Sequence, residues 1–399
     1  MRNGHAVSRG GLVLPALCLS GGLAGLSVSI TTPIIVDIAR HFRTSEAAAG
    51  QLMTVASIAG VIGTLAISPF LDRVGRRRGI TAALLLMAVA CLGCTLAPSF
   101  AVLSLAYCLV GLSGYTLFAQ VLAAVGDLYS SDKLGRAMGW VTFGNVGFVV
   151  AAMPIIGWLA QRVGWQYAFL LLGPCALSVA IWDYSTVPTH LQSAAHERMG
   201  YTVAFAGLRR SRVAIAALAA LGIISASYYG FATYMAVVAT DALGATTEQI
   251  SLVISVRFIG AMVLGLAAGV MLRSASWWLA VLACLACAVL TILVYLAPGS
   301  LPLLGLENFL YGFAIGMVDV GVNAMLAAAD TGSRGVAMAM RSVMDSLGGI
   351  VGPALGGVVI AVSGYTVAGW TFAALAFLAA VAVAEARRSV VQPVQEVVG

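Results

Sequence analysis

Among the ionisable side chains within or at the margin of long apolar stretches of this sequence, six stand out: Asp37, Arg257, Glu307, Asp319, Arg341 and Asp345. A charge taken out of water costs several kcal/mol unless it is paired, so such residues bind something, pair or exchange protons. Glu307 and Asp319 lie twelve residues apart in one stretch, with Asn308 and Asn323 nearby. A carboxylic acid in low-dielectric surroundings can exchange protons near neutral pH, which makes these two the leading candidate proton carriers. Arg341 and Asp345 are spaced i, i+4 and are expected to pair along one helix face. Arg257 has no acid within a turn of its own stretch, so it requires a partner on another element, an anionic solute or water. Asp37 closes the string Pro33-Ile-Ile-Val-Asp37 and reads equally as an outer cap or a gating residue. Tyr228, Tyr229 and Tyr311 carry hydroxyls that need partners in apolar surroundings, which makes them candidates for contact with a bound molecule. This is chemistry of ion recognition and proton exchange. No G-x-S-x-G elbow, H-E-x-x-H or metal-ligand cluster is present, so neither enzyme activity nor a metal is expected. The single lysine, Lys133, is followed by Leu134, which excludes a G-x-x-x-x-G-K-[ST] phosphate loop and direct use of ATP.

The elements that position these groups follow from composition. Of 399 residues, 61% are hydrophobic and 9% charged, against about 25% charged in a soluble domain. Such a chain is solvated by lipid, where backbone groups must be satisfied within helices or a closed barrel. A barrel needs alternating strands of about ten residues, whereas the apolar runs here are long and do not alternate. They fall near 11–36, 47–71, 79–97, 100–126, 137–160 and 165–187, then near 213–240, 248–272, 277–297, 301–329, 335–361 and 366–385. Twelve transmembrane helices are expected, as an N-terminal bundle (1–187), a polar cytoplasmic linker (188–212) and a C-terminal bundle (213–399). The first run is too long for a signal-peptide core and no A-x-A pattern follows it, so it is expected to be the first membrane helix. Of the 21 Lys and Arg, only Arg40, Arg43 and Arg162 fall in the loops of one side; Arg257 and Arg341 lie within runs, and the other sixteen lie on the opposite side. That bias predicts both termini in the cytoplasm, and it accounts for the net charge of +6 without a nucleic-acid partner. All seven cysteines fall in apolar runs, including the pairs Cys91/Cys94 and Cys284/Cys287, and are expected to serve packing rather than redox or zinc chemistry.

The two halves repeat. Phe42-Arg-Thr-Ser-Glu46 before the second run echoes Leu243-Gly-Ala-Thr-Thr-Glu248 before the eighth. Cys91-Leu-Gly-Cys94 echoes Cys284-Leu-Ala-Cys287, and Met153-Pro154-Ile-Ile-Gly157 echoes Gly352-Pro353-Ala-Leu-Gly356. Parallel halves of this kind place a binding site near the bilayer midplane.

The segment Ser68-Pro-Phe-Leu-Asp72-Arg73-Val-Gly75-Arg76-Arg-Arg78 resembles the G-x-L-a-D-r-x-G-r-r signature between helices 2 and 3 of the major facilitator superfamily. Asp127 and Arg136 resemble the cytoplasmic charges that lock with that loop. Gly164-Trp165-Gln-Tyr-Ala-Phe169 resembles the G-W-R-x-x-F turn opening helix 6. Gly348-x-x-x-Gly352-Pro353-x-x-Gly356-Gly357 has the spacing of the family's antiporter signature, here in the eleventh run; the fifth run keeps Pro154 and Gly157. Tyr107, four residues before Gly111, holds the helix 4 position where the family often carries an arginine. The resemblance implies a fold of two six-helix bundles and alternating-access secondary transport of a small organic molecule. It implies the proton gradient as energy source in place of a cofactor, a monomer in the lipid bilayer of a bacterial inner membrane, and proton-coupled export by antiport. Uptake of an organic anion or sugar by proton symport is the alternative, and a non-transporting membrane receptor is the alternative of another class.

Overall fold

The computed structural model describes residues 4–67, 70–71, 74–188, 211–271, 277–328 and 334–391, and the regular structure in them is helical. In chain order the helices are α1 (Gly4–Ser29), α2 (Ile35–Phe42), α3 (Glu46–Ile62, continued by a π-helical turn Gly63–Ile67), α4 (Arg76–Thr95), α5 (Phe100–Leu128), α6 (Ser131–Arg162), α7 (Gln166–Thr186), α8 (Arg212–Leu243), α9 (Thr247–Met271), α10 (Trp277–Leu296), α11 (Leu301–Ala328) and α12 (Arg334–Val391). Serines start several of them: the hydroxyls of Ser45, Ser99 and Ser211 accept from the backbone N–H groups of Ala48, Val102 and Ala214, which satisfies amides that a helix start leaves open.

Eleven of these stretches are long and apolar enough to cross a bilayer. The last of them, Met340–Ala386, has 47 residues; at about 1.5 Å per residue it is some 70 Å long, more than twice the roughly 30 Å hydrocarbon core. It is interrupted at Gly364, whose φ of +80° has no place in a helix. α12 is therefore two crossings joined at a glycine, which brings the described residues to twelve crossings.

The first run differs from its expected continuous helix over 11–36. α1 ends at Ser29, turns occupy residues 30–34, and α2 starts again at Ile35. Pro33 supplies the reason: it has no N–H to donate and disfavours helical geometry at Thr32. The hydroxyl of Tyr107 on α5 meets the carbonyls left open, lying 3.2 Å from those of Ser27 and Val28 and 3.1 Å from Thr31 Oγ1.

The described residues divide into two compact units, one within Met1–His196 and Thr246–Ser255, the other within Glu197–Ala245 and Val256–Gly399. In the first unit α1 packs on α6, and α4 on α5 and α7. α3 also packs on α5, and there a small residue permits the contact: a Cβ on Gly111 would collide with the backbone of Ala56, the mode of helix association favoured where lipid removes the hydrophobic incentive. In the second unit α12 is the central partner of α8 and α10. Cys91, Cys94, Cys284 and Cys287 are buried free thiols. Residues 189–210, inside the expected linker, lie outside the described residues.

Candidate functional site

The second unit gathers most of the intramembrane charge, and glycines set its geometry. A Cβ on Gly348 would lie 2.7 Å from Ala226 N, one on Gly352 2.8 Å from Gly230 N, and one on Gly356 2.7 Å from a Tyr234 ring carbon. Spaced i, i+4, i+8, the three form one face of α12 turned to α8, meeting its backbone at Gly348 and Gly352 and the Tyr234 ring at Gly356. Gly357 is buried beside them, and the Tyr234 hydroxyl donates to the Pro353 carbonyl at 3.0 Å. This contact fixes Asp345, three residues before Gly348. Its Oδ1 accepts from Ser225 Oγ at 2.8 Å and its Oδ2 from the Tyr229 hydroxyl at 3.2 Å.

Arg341 makes its ion pair with Asp319 of α11, from Nη2 to Oδ1, and not with Asp345 as the i, i+4 spacing predicts. The close packing of α12 on α8 gives Asp345 two hydroxyl donors, and Arg341, one turn earlier, reaches across to the neighbouring helix. Asp319 and Asp345 line one cavity of about 200 Å³, with Ser225, Tyr228, Tyr229 and Ala261 on its wall. The Asp319 side chain is 47% exposed and that of Arg341 24%, so the pair is open on one side.

Tyr311 sits behind this wall, fully buried and stacked on Phe231 with ring centroids 4.2 Å apart; Tyr228 stacks on it at 6.3 Å. Arg257 is 3% exposed, with its guanidinium carbon 5.6 Å from the Tyr228 ring centroid. Glu307 and Asn308 are buried nearer the start of α11; Asn308 Nδ2 donates to the Leu304 carbonyl at 2.9 Å, and Glu307 Oε2 is buried with no hydrogen-bond partner. Neither lines the cavity, so Asp319 and Glu307 are not brought together. Asn323, one turn beyond Asp319, has a buried Oδ1 with no hydrogen-bond partner.

The first unit holds the loop-associated charges. Gly75 has a φ of +99° and directly precedes α4. Arg76 is 5% exposed; its Nε donates to Asp127 Oδ2 at 2.7 Å, and its Nη1 lies 3.4 Å from Gln120 Oε1. Arg136 is exposed on α6. Asp72 and Arg73 lie outside the described residues. Pro154 lies inside α6, and a Cβ on Gly157 would come within 3.1 Å of Glu248 Cα, so α6 and the first turns of α9 touch there. Asp37 accepts a 2.7 Å hydrogen bond from the Thr247 hydroxyl. Burial holds the Asp37 carboxyl above its ordinary value of 3.8, against the opposing pull of Thr247 and Arg40.

Two further residues belong with this set. Asp183, three residues from the end of α7, is fully buried; Ser20 Oγ of α1 donates to its Oδ2 at 2.5 Å, and its Oδ1 has no hydrogen-bond partner. Its signal was the same as for Asp319, an acid inside an apolar run. Ser225 carries no such signal and is found only through the register of α12 on α8. Among the described residues no group of three or more His, Cys, Asp and Glu could hold a metal ion.

Comparison with known proteins agrees with this architecture. A sequence model of the Major Facilitator Superfamily matches residues 17–304 and again 217–396. The chain is 29% identical over 265 residues to the transcription regulatory protein OpdE of Pseudomonas aeruginosa, covering 64% of each. It is 30% identical over 181 residues to the uncharacterized transporter YgaY of Escherichia coli O157:H7, covering 45% of each. It is 26% identical over 230 residues to the purine ribonucleoside efflux pump NepI of Salmonella typhimurium, covering 57% of this chain and 56% of that one. The chain thus spans between 45% and 64% of the length of these curated relatives. Among solved structures, a bacterial homologue of the human lysosomal transporter Spinster is 18% identical, with a TM-score of 0.73 over 98% of this chain and 94% of that one. The human organic anion transporter MFSD10 is 17% identical, with a TM-score of 0.67 over 93% of this chain and 99% of that one. These two structures share the fold. A family match that runs across both halves, on twelve apolar crossings, places the chain in the Major Facilitator Superfamily.

Proposed function

We propose that the chain is a secondary transporter of a bacterial inner membrane that exports a small organic molecule in exchange for protons, working as a monomer. The observation that carries this reading is the Arg341–Asp319 ion pair on the wall of a cavity that also exposes Asp345. Ionised Asp319 holds the guanidinium. A proton arriving on Asp319 removes that attraction and frees Arg341, so proton occupancy and the arrangement of α11 against α12 become linked. Such linkage couples proton flow to movement of a solute without ATP or a bound cofactor.

Export is supported by the similarity to NepI, whose name records efflux of purine ribonucleosides, and by the glycine–proline spacing of α12. The test is a substrate screen in proteoliposomes with a pH-sensitive dye, followed by flux in vesicles of both orientations. Exchange of internal protons for the solute in everted vesicles is the expected result. Accumulation driven by an inward proton gradient in right-side-out vesicles would establish uptake of an organic anion or sugar by symport instead. OpdE, named as a transcription regulatory protein, keeps a receptor as the second reading, and absence of both solute and proton movement across the screen would favour it.

A further inference from the structure

Arg257 has no part in that proton exchange. Its Nε and Nη1 are buried with no hydrogen-bond partner, and no ion pair joins it to an acid among the described residues. Its guanidinium carbon lies 5.6 Å from the ring centroid of Tyr228 and 5.7 Å from that of Phe258. Two ring faces return only a fraction of the free energy that burying a guanidinium costs.

Among the described residues, the intramembrane acids of this unit do not supply the missing charge. Asp319 holds Arg341, and Asp345 is held by two hydroxyls. Glu307 is displaced along its helix. A Cβ on Gly312 would collide with the Arg257 carbonyl, and one on Gly260 with the Phe309 carbonyl. α9 and α11 therefore cross with Arg257 level with Gly312, and Glu307 sits five residues, about 7.5 Å, further along α11.

Arg257 is not itself on the cavity wall, but it lies directly behind it: Ala261, one turn on, lines the cavity, as does Tyr228, whose ring the Arg257 guanidinium faces. The cavity volume of about 200 Å³ exceeds the roughly 150 Å³ that accommodates benzene in an engineered protein core. We propose that Arg257 is the anion-recognition point of this cavity, taking the carboxylate, sulfonate or phosphate group of a solute whose flat apolar body packs against Tyr228. A guanidinium fork pairs with two oxygens of such a group at once. The proposal rests on reading the cavity as the solute site and names the class of solute it accepts.

The experiment uses the full chain in nanodiscs and two matched pairs of probes, naphthoate with naphthamide and AMP with adenosine, measured by calorimetry. At least one anion should bind about tenfold or more tightly than its neutral counterpart, and the pair that shows this separates carboxylate from phosphate recognition. Arg257→Gln should abolish that preference while leaving the neutral probe unchanged. Arg257→Lys, which keeps the charge but not the fork and guards against a folding defect, should retain part of it. No preference in either pair, or a preference that survives Arg257→Gln, would overturn the proposal. If it fails while proton-linked flux persists, only the anion assignment falls; if flux is absent too, the transport reading of the cavity falls with it.

Discussion

Arg76 Nε donates to Asp127 Oδ2 at 2.7 Å, with the two side chains 6% and 16% exposed, so the basic loop before α4 is tied to the last turn of α5. Removing one member of a buried pair leaves the other charge poorly compensated, at a cost of about 3 kcal/mol. Asp127→Asn should therefore lower thermal stability in detergent clearly, with Gln120 left as a neutral neighbour of the guanidinium. Arg76→Gln combined with Asp127→Asn should recover much of that loss, because no charge then remains buried. Additive losses in the double variant would show that the two residues do not act as a pair.

Asp319→Asn should keep expression and folding, because its side chain is 47% exposed and an amide can still accept from Arg341. Under the proposed exchange it should reduce proton-linked flux to the background of empty liposomes, and Asp319→Glu should restore part of it. Full proton coupling in Asp319→Asn would remove this residue from the proton path.

How far the sequence foretells this site depends on the kind of interaction. Arg257, Asp319 and Asp345 stand out because each interrupts an apolar run, and burial of charge is visible without coordinates. The partner of Arg341 is not visible, because local spacing offers Asp345 whereas the true partner sits on another helix. That choice depends on how closely α12 approaches α8, a property of three glycines and of what faces them. The break between α1 and α2 is foreshadowed by Pro33, yet composition alone merges the two helices into one run. The break at Gly364 is legible by contrast: the runs 335–361 and 366–385 stop on either side of it, and its φ of +80° ends the helix there.

The glycine contact between α8 and α12 gives a packing prediction. A Cβ on Gly352 would collide with the Ala226 carbonyl and lie 2.8 Å from Gly230 N, and backbone cannot move aside cheaply. Gly352→Ala should destabilise the protein by about 1–3 kcal/mol and weaken the hydrogen bonds that Ser225 and Tyr229 make to Asp345. Gly305→Ala is the matched control, since a Cβ there meets nothing within 4 Å; it should be neutral or stabilising by up to about 1 kcal/mol. Equal melting temperatures for the two variants would refute the close approach.

Asp37 gives the pH dependence. Burial raises its carboxyl above the ordinary 3.8 in the folded protein, so the folded state binds more protons than the unfolded state in the window that opens above that value. Its contribution to stability is therefore complete below the ordinary carboxylate range and is lost as pH rises through the folded value. Asp37→Asn keeps an oxygen acceptor for Thr247 and removes the titration. Its melting temperature relative to the parent should rise as pH increases above the ordinary carboxylate range, the opposite of what loss of a salt-bridged acid produces. A difference that stays constant with pH would show that Asp37 titrates alike in both states.

Arg257 separates function from stability. A buried guanidinium with two unpartnered nitrogens weakens the fold that contains it, and replacement of buried charge by a well-packed apolar side chain is often neutral or stabilising by about 1–4 kcal/mol. Arg257→Met keeps the length of the stem and can still lie against Tyr228 and Phe258. Without added solute it should melt at the same temperature as the parent or a few degrees higher. With naphthoate or AMP present, the parent should gain thermal stability by mass action and the variant should not. A structural arginine would give the reverse pattern, a lower melting temperature for Arg257→Met in the absence of solute and the same shift in both proteins on adding it.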